Sequence, residues 1–243
     1  MNSPLNKDCS ELHYKQQKGD TMKPKLILIV GVVVAFFSAA SFAQTIVTSK
    51  HDLSVSGDTA AHSTNESQVC IFCHTPHQKT ITATPLWNKT LSAVTSYGVY
   101  ASSSLNASDI LDVGSGGTTS NLCLSCHDGT VAVNSLDNMS TVGTPTMTGS
   151  ALTANKISGN GLIGTSLTND HPINFTYNAA LVTADGGLKT PESANYVDAA
   201  HKVPLYGAKL QCASCHNPHD KTNGSFLRLA NSGSALCLTC HNK

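Results

Sequence analysis

The pattern Cys-x-x-Cys-His occurs four times in this chain: Cys70-Ile71-Phe72-Cys73-His74, Cys123-Leu124-Ser125-Cys126-His127, Cys212-Ala213-Ser214-Cys215-His216 and Cys237-Leu238-Thr239-Cys240-His241. Two residues between the cysteines let both sulfurs reach one edge of a planar macrocycle, and the next residue presents its imidazole to a metal at the centre. This is the chemistry of c-type haem attachment, with two thioethers and a proximal histidine. A zinc site needs pairs of C-x-x-C converging on one ion and does not require a histidine after every second cysteine. A disulfide framework has no use for that histidine either. The pattern predicts four covalently bound haems c, held by Cys70, Cys73, Cys123, Cys126, Cys212, Cys215, Cys237 and Cys240. Their proximal iron ligands are His74, His127, His216 and His241.

Composition agrees with a fold built around such groups. Formal net charge is zero, charged residues are 12% and aromatics 5%. A nucleic-acid binder would carry a basic excess, and a conventional large core would carry more aromatics. Haem can substitute for that core, because each macrocycle offers a broad apolar surface to bury.

Residues 1–21 are polar, lack apolar periodicity and contain Cys9. Met22-Lys23-Pro24-Lys25 then precedes an apolar run from Leu26 to Phe37 and small residues at Ser41 and Ala43. That order is the one of a secretory signal cleaved after Ala43. The apolar run of 12 residues is short for a bilayer span, and no cysteine follows the cleavage point to carry a lipid. The expected organisation is an upstream artefact over 1–21, a true start at Met22, a signal peptide over 22–43 and a single tetrahaem domain over 44–243. Cys9, the one cysteine of nine outside the four pairs, would be absent from the mature chain. Export also places the pentads outside the bacterial cytoplasm, where c-type haem is attached.

The mature chain would keep ten Lys+Arg against twelve Asp+Glu, and haem propionates would make it more acidic. It is rich in Ser, Thr, Asn and Gly, with runs such as Gly114-Ser115-Gly116-Gly117 and Ser158-Gly159-Asn160-Gly161 that favour turns. The expected fold class is a multihaem c-type cytochrome, mostly irregular coil with short helices around a haem-filled core and little β. Helices are expected on the pentads and over Pro191–His201. Ser140–Gly164 reads as disordered in the absence of haem, and Val113–Gly187, its pentad aside, as the outer loop.

Four six-coordinate haems need four further ligands. Outside the pentads the mature chain has His51, His62, His77, His171, His201 and His219, against only two methionines, Met139 and Met147. Bis-histidine ligation is therefore expected, with the low potentials it brings. His77 and His219 follow His74 and His216 by three residues each, across Pro76 and Pro218. They are too close to curl over their own haem, but an extended turn carries them to an adjacent one. His171 lies in Asn169-Asp170-His171-Pro172, where Asp170 is a candidate partner for its ring N–H. His51 lies 19 residues before the first haem cysteine. These four, His51, His77, His171 and His219, are the expected distal ligands; His62 and His201 read as solvated.

A series of short motifs appears in order: His51-Asp52-Leu53-Ser54, Cys73-His74-Thr75-Pro76-His77, Pro85-Leu86-Trp87-Asn88, Cys126-His127-Asp128-Gly129-Thr130, Asp170-His171-Pro172, Cys215-His216-Asn217-Pro218-His219, Phe226-Leu227-Arg228 and Cys240-His241-Asn242-Lys243. The series resembles the secreted tetrahaem c-type cytochromes of metal-reducing bacteria, including the extracellular filament-forming (OmcE-like) type. Met139–Leu167 matches no part of that pattern and reads as a variable loop. The resemblance implies closely packed bis-histidine haems passing electrons along their stack, and subunits joined end to end in the filament-forming members. It also implies that a histidine can ligate a haem of the next subunit, for which His51 on its N-terminal arm is the candidate.

The expected function is thus electron transfer rather than enzymatic catalysis. The chain would be secreted, to the cell exterior or the periplasm, with other c-type cytochromes or extracellular acceptors as partners and self-association into filaments as a further possibility. Neither nucleic acid nor a membrane span in the mature chain is expected. The alternatives are a soluble periplasmic shuttle and a multihaem oxyanion reductase; the latter needs an open distal face, which the spare histidines can close. A sensor would need an output domain, and none is recognisable.

Overall fold

The pentads are where the chain turns helical. The computed structural model describes residues 46–75, 86–110, 113 and 118–242. The expected signal segment, Cys9 and His77 lie outside the described residues. Gln44–Lys243 forms one compact unit. The first pentad sits on a 3-10 turn, Val69–Phe72. The second occupies the end of helix α1, Thr119–His127, whose first turn is capped by the Thr118 hydroxyl accepting from the Asn121 N–H. Helix α2, Ala179–Asp185, begins at the Asn178 cap and stops at Gly186, left-handed at φ 70°. The last two pentads form single helical turns, α3 (Cys212–Cys215) and α4 (Cys237–Cys240).

Strands are two residues long throughout the described residues. They are β1 (His62–Ser63), β2 (Gly98–Val99), β3 (Met147–Thr148), β4 (Leu152–Thr153), β5 (Lys156–Ile157), β6 (Ser166–Leu167), β7 (Phe175–Thr176) and β8 (Lys209–Leu210). They pair in twos: β1 with β3, β4 with β5 and β7 with β8 antiparallel, β2 with β6 parallel. The β4–β5 hairpin turns on Ala154 and Asn155, both at positive φ (51° and 61°), as a two-residue turn matched to strand twist requires. Gly149 passes so close to Ala60 that a Cβ there would lie 2.2 Å from the Ala60 carbonyl oxygen. The expectation of mostly coil, few helices and little sheet holds.

Three expectations do not. Pro191–His201 is not helical; its backbone is looped by Val197 N–H donating to Val203 O and by the Asp198 carboxylate accepting from Lys202 and Val203 N–H. The helix that does form, α2, carried the ordinary signals of an Asn cap and a terminal Gly. Nor is Val113–Gly187 an outer loop. It supplies β3 to β7 and the buried side chains Val113, Val133, Leu136, Leu167, Phe175, Tyr177 and Leu181. Within it Ser140–Gly164 is not structureless: it carries β3, β4 and β5, and the β1–β3 pairing and the Ala151 N–H to Ala60 O bond (2.7 Å) tie it to the N-terminal segment.

The apolar interior is divided. One cluster (Phe175, Tyr177, Leu181, Val197, Val203, Leu205, Leu210) reaches Cys240. A second (Leu53, Ala61, Phe72, Val133, Leu136) reaches Cys73 and Cys126, and a third (Tyr97, Val113, Leu124, Leu167) includes a pentad leucine. Each core thus backs a haem-attachment turn. Buried Gln211 laces the second and third pentads together. Its Oε1 accepts from the Thr119 hydroxyl (2.7 Å) and the Ser120 N–H (3.0 Å), and the Ser120 hydroxyl accepts in turn from Cys212 N–H (3.1 Å). Gln211→Ala would strand these donors, and should lower stability by about 1–3 kcal/mol. Thermal unfolding of the haem-loaded protein measures this; an unchanged midpoint would show that the lacing contributes nothing.

Candidate haem sites

The pentad turns place their histidines by backbone bonding. His74 N–H donates to Cys70 O (2.8 Å), His216 N–H to Cys212 O (3.0 Å) and His241 N–H to Cys237 O (3.0 Å). At each of these three the chain then extends into an isolated bridge: His74 with Trp87, His216 with Leu227 and His241 with Leu188. His127 is held differently. Its carbonyl accepts from Ile163 and Gly164 N–H, and its ring Nδ1 lies 2.7 Å from the Gly161 carbonyl oxygen. The adjoining Asp128 is buried, which alone would raise its carboxyl. Bonds from Ser92, Thr130 and Tyr97 hold it below the usual carboxylate range instead.

Eight cysteines are free thiols in the described chain, all of them pentad members. Burial pushes Cys73 up to about 12 and Cys240 up to about 11. Cys123 and Cys212, from successive pentads, bond to each other. The attachment turns are therefore neighbours in space.

Three of the four pentad histidines face a histidine from outside the pentads. Ring centroids lie 6.0 Å apart for His74 and His219, 6.0 Å for His127 and His51, and 6.3 Å for His241 and His171. Stacked rings in direct contact are much closer here, at 4.2 Å for His51 on Phe226 and 4.3 Å for Tyr196 on His201. The near-parallel pair His74/His219, inclined by only 23°, is thus too far apart to be a stack. Two imidazoles bound to opposite faces of one metal at ~2 Å each have centroids about 6 Å apart. The other two pairs are crossed, at 80° and 74°.

The free ring nitrogen is also defined. A carbonyl oxygen can only accept, so a ring Nδ1 beside one must carry the proton and leave Nε2 with its lone pair. This applies to His127 on Gly161 O, His216 on Ser225 O (2.9 Å), His171 on Pro172 O (2.9 Å) and, at a longer 3.4 Å, His51 on Pro218 O. Such bonds orient metal-ligating histidines. Burial, then the neighbouring His127, depresses His51 to about 4, and burial with His74 lowers His219. Both imidazoles are accordingly neutral and able to bind a metal. Paired, neutral, Nε2-directed imidazoles beside paired thiols fit haem c. Among the described residues no three His, Cys, Asp or Glu groups gather as a protein-only metal cage.

Several expectations need correction. His51 faces His127 of its own chain rather than lying free on an arm, so its assignment to a neighbouring subunit's haem falls. Asp170 is not the recorded partner of the His171 ring, which bonds to Pro172 O instead. His62 is not solvated; its Nδ1 is buried and has no hydrogen-bond partner. His201 is exposed, as expected, and stacks on Tyr196. Sequence reading missed the Gly161 carbonyl, since no motif announces a backbone acceptor 34 residues away. It also gave Phe226 and Trp87 no role, although both stand in the quoted motifs and both lie against ligand histidines. His216 is the one pentad histidine with no facing histidine among the described residues.

A family model for the doubled CXXCH motif matches residues 205–243, the span of the last two pentads. No curated protein matches the chain. The doubled motif indicates a multihaem c-type cytochrome with covalently bound haem c, hence an electron carrier. Proteins of that kind are typically exported, and among the described residues no helix is long and apolar enough to cross a membrane. Replacing His51, His171 or His219 with alanine should each open one haem, read as carbon monoxide binding to the reduced protein. His62→Ala and His201→Ala should open none; binding in either of these would reassign the ligands.

Proposed function

We propose that this chain is a tetrahaem electron-transfer cytochrome in which every haem iron is closed by two histidines. The observation that carries this reading is the three cross-chain imidazole pairs at 6.0–6.3 Å, each joining a pentad histidine to one outside the pentads. The fourth pair is assigned to His216 and His77. His219, three residues beyond His216, faces His74, and His77 stands in the same relation to His74. A reciprocal exchange between the first and third pentads uses both.

Axial ligands, burial and spacing set what such a protein does; the redox chemistry belongs to the haem. With both axial positions taken, an iron accepts and releases electrons without binding substrate, which favours a carrier over an oxyanion reductase. The protein is secreted, receives electrons from other c-type cytochromes and delivers them outside the cell as the subunit of a filament. The filament role rests on the motif resemblance and on a surface poor in charge, which suits packing against further copies.

Two measurements test this. The mass of the purified protein, with its pyridine haemochrome spectrum, should give four covalent haems per chain and a new N-terminus at Gln44; fewer haems would overturn the tetrahaem reading. Electron microscopy of the secreted protein should show continuous filaments. Discrete particles would leave a diffusible shuttle and remove the filament role.

A further inference from the structure

Lys89 is a buried lysine placed between two haem-attachment turns, and nothing in the preceding reading uses it. It is 1% exposed. Its backbone is fixed by the bridge to Leu136, and the preceding Asn88 donates its N–H to Cys73 O (2.9 Å) and its side-chain amide to Ile71 O (2.7 Å). The chain at Lys89 is thereby strapped to the first pentad. The side-chain amine donates to the Ala132 carbonyl at 2.5 Å and bonds to the Cys126 sulfur of the second pentad, and it acts on the Cys73 sulfur of the first.

No carboxylate offsets it. The ion pairs among the described residues are Lys50–Asp58 and Lys209–Asp109. A buried ammonium without a counter-charge costs several kcal/mol, which one carbonyl does not restore. A packed interior would more readily hold methionine or leucine at this position. The unspent charge therefore points to the groups that the neighbouring cysteines hold.

We propose that Lys89 is a positioning residue for charge: a fixed cation at the thioether edges of the His74 and His127 haems that raises both reduction potentials above those of the other two. This rests on haem attachment at the pentads as proposed above. The physical cause is Coulombic. Each electron added to a haem lowers its charge by one, and a cation held close in a poorly polarisable interior stabilises that reduced form. The His216 and His241 sites have no comparable buried cation among the described residues. Electrons in a partly reduced chain would then reside on the first two haems.

The test is a spectroelectrochemical titration of the haem-loaded wild type, Lys89→Met and Lys89→Arg, each first checked by mass for its haem count. Methionine fills similar volume without charge, so folding should survive or improve. Two of the four midpoint potentials should fall in Lys89→Met, and Lys89→Arg should keep them near wild type. A merely structural lysine would leave the potentials in place. Four haems with no potential moved, or with all four lowered alike, would overturn the role of Lys89 alone. A wild type lacking haem on either of the first two pentads would overturn both this inference and the tetrahaem reading.

Discussion

The pairing of each pentad histidine with a second imidazole is the constraint on which the rest of this fold depends. A C-x-x-C-H turn supplies its own proximal ligand locally, but its distal ligand must come from elsewhere in the chain. His51 reaches His127, His171 reaches His241 and His219 reaches His74. The His51 ring also meets the Pro218 carbonyl, 167 residues away in sequence. These links cross, so no pentad can be removed as a module without unseating a ligand elsewhere.

Crossed links of this kind explain why the ordinary secondary structure is so slight. Two-residue strands and single helical turns cannot specify a fold by their own ladders. They serve to hold loops at the right distance for ring pairs. Buried polar groups do much of that work. Asp52 is fully buried beside His51, which alone would raise its carboxyl. It accepts bonds from the Ser54 and Ser56 hydroxyls and from the Thr48 and Ser54 N–H groups, which together hold it below the usual carboxylate range. The network freezes the turn that aims the imidazole. Its contribution is present while the carboxylate is ionised and is lost as pH falls through the depressed folded value. Asp128, with Tyr97 and Thr130, does the same behind His127.

What was legible in the sequence was whatever spacing encodes. The pentads, the proximal ligands and the candidacy of His51, His171 and His219 follow from counting histidines against irons and from the prolines that extend the chain after His216. What spacing does not encode is partnership. His51 looked free because its partners, Phe226, Pro218 and His127, are all remote. Ser140–Gly164 looked structureless because its glycines and serines carry little apolar signal, yet this low-bulk composition lets Gly149 pass against Ala60 and brings the Gly161 carbonyl to the His127 ring. Lys89 gave no sign, since a single lysine in a polar stretch ordinarily faces water.

Electron paramagnetic resonance of the fully oxidised holoprotein tests the central claim most directly. Two imidazoles on one iron enforce the low-spin state. Aligned imidazole planes split the iron orbitals that they overlap, whereas crossed planes leave them nearly equal. The account therefore expects only low-spin ferric signals, with a rhombic component from the near-parallel His74/His219 site and highly anisotropic components from the two crossed sites. A high-spin ferric signal in the native protein would mean that one iron lacks its second histidine, and would contradict the closed, electron-carrying reading.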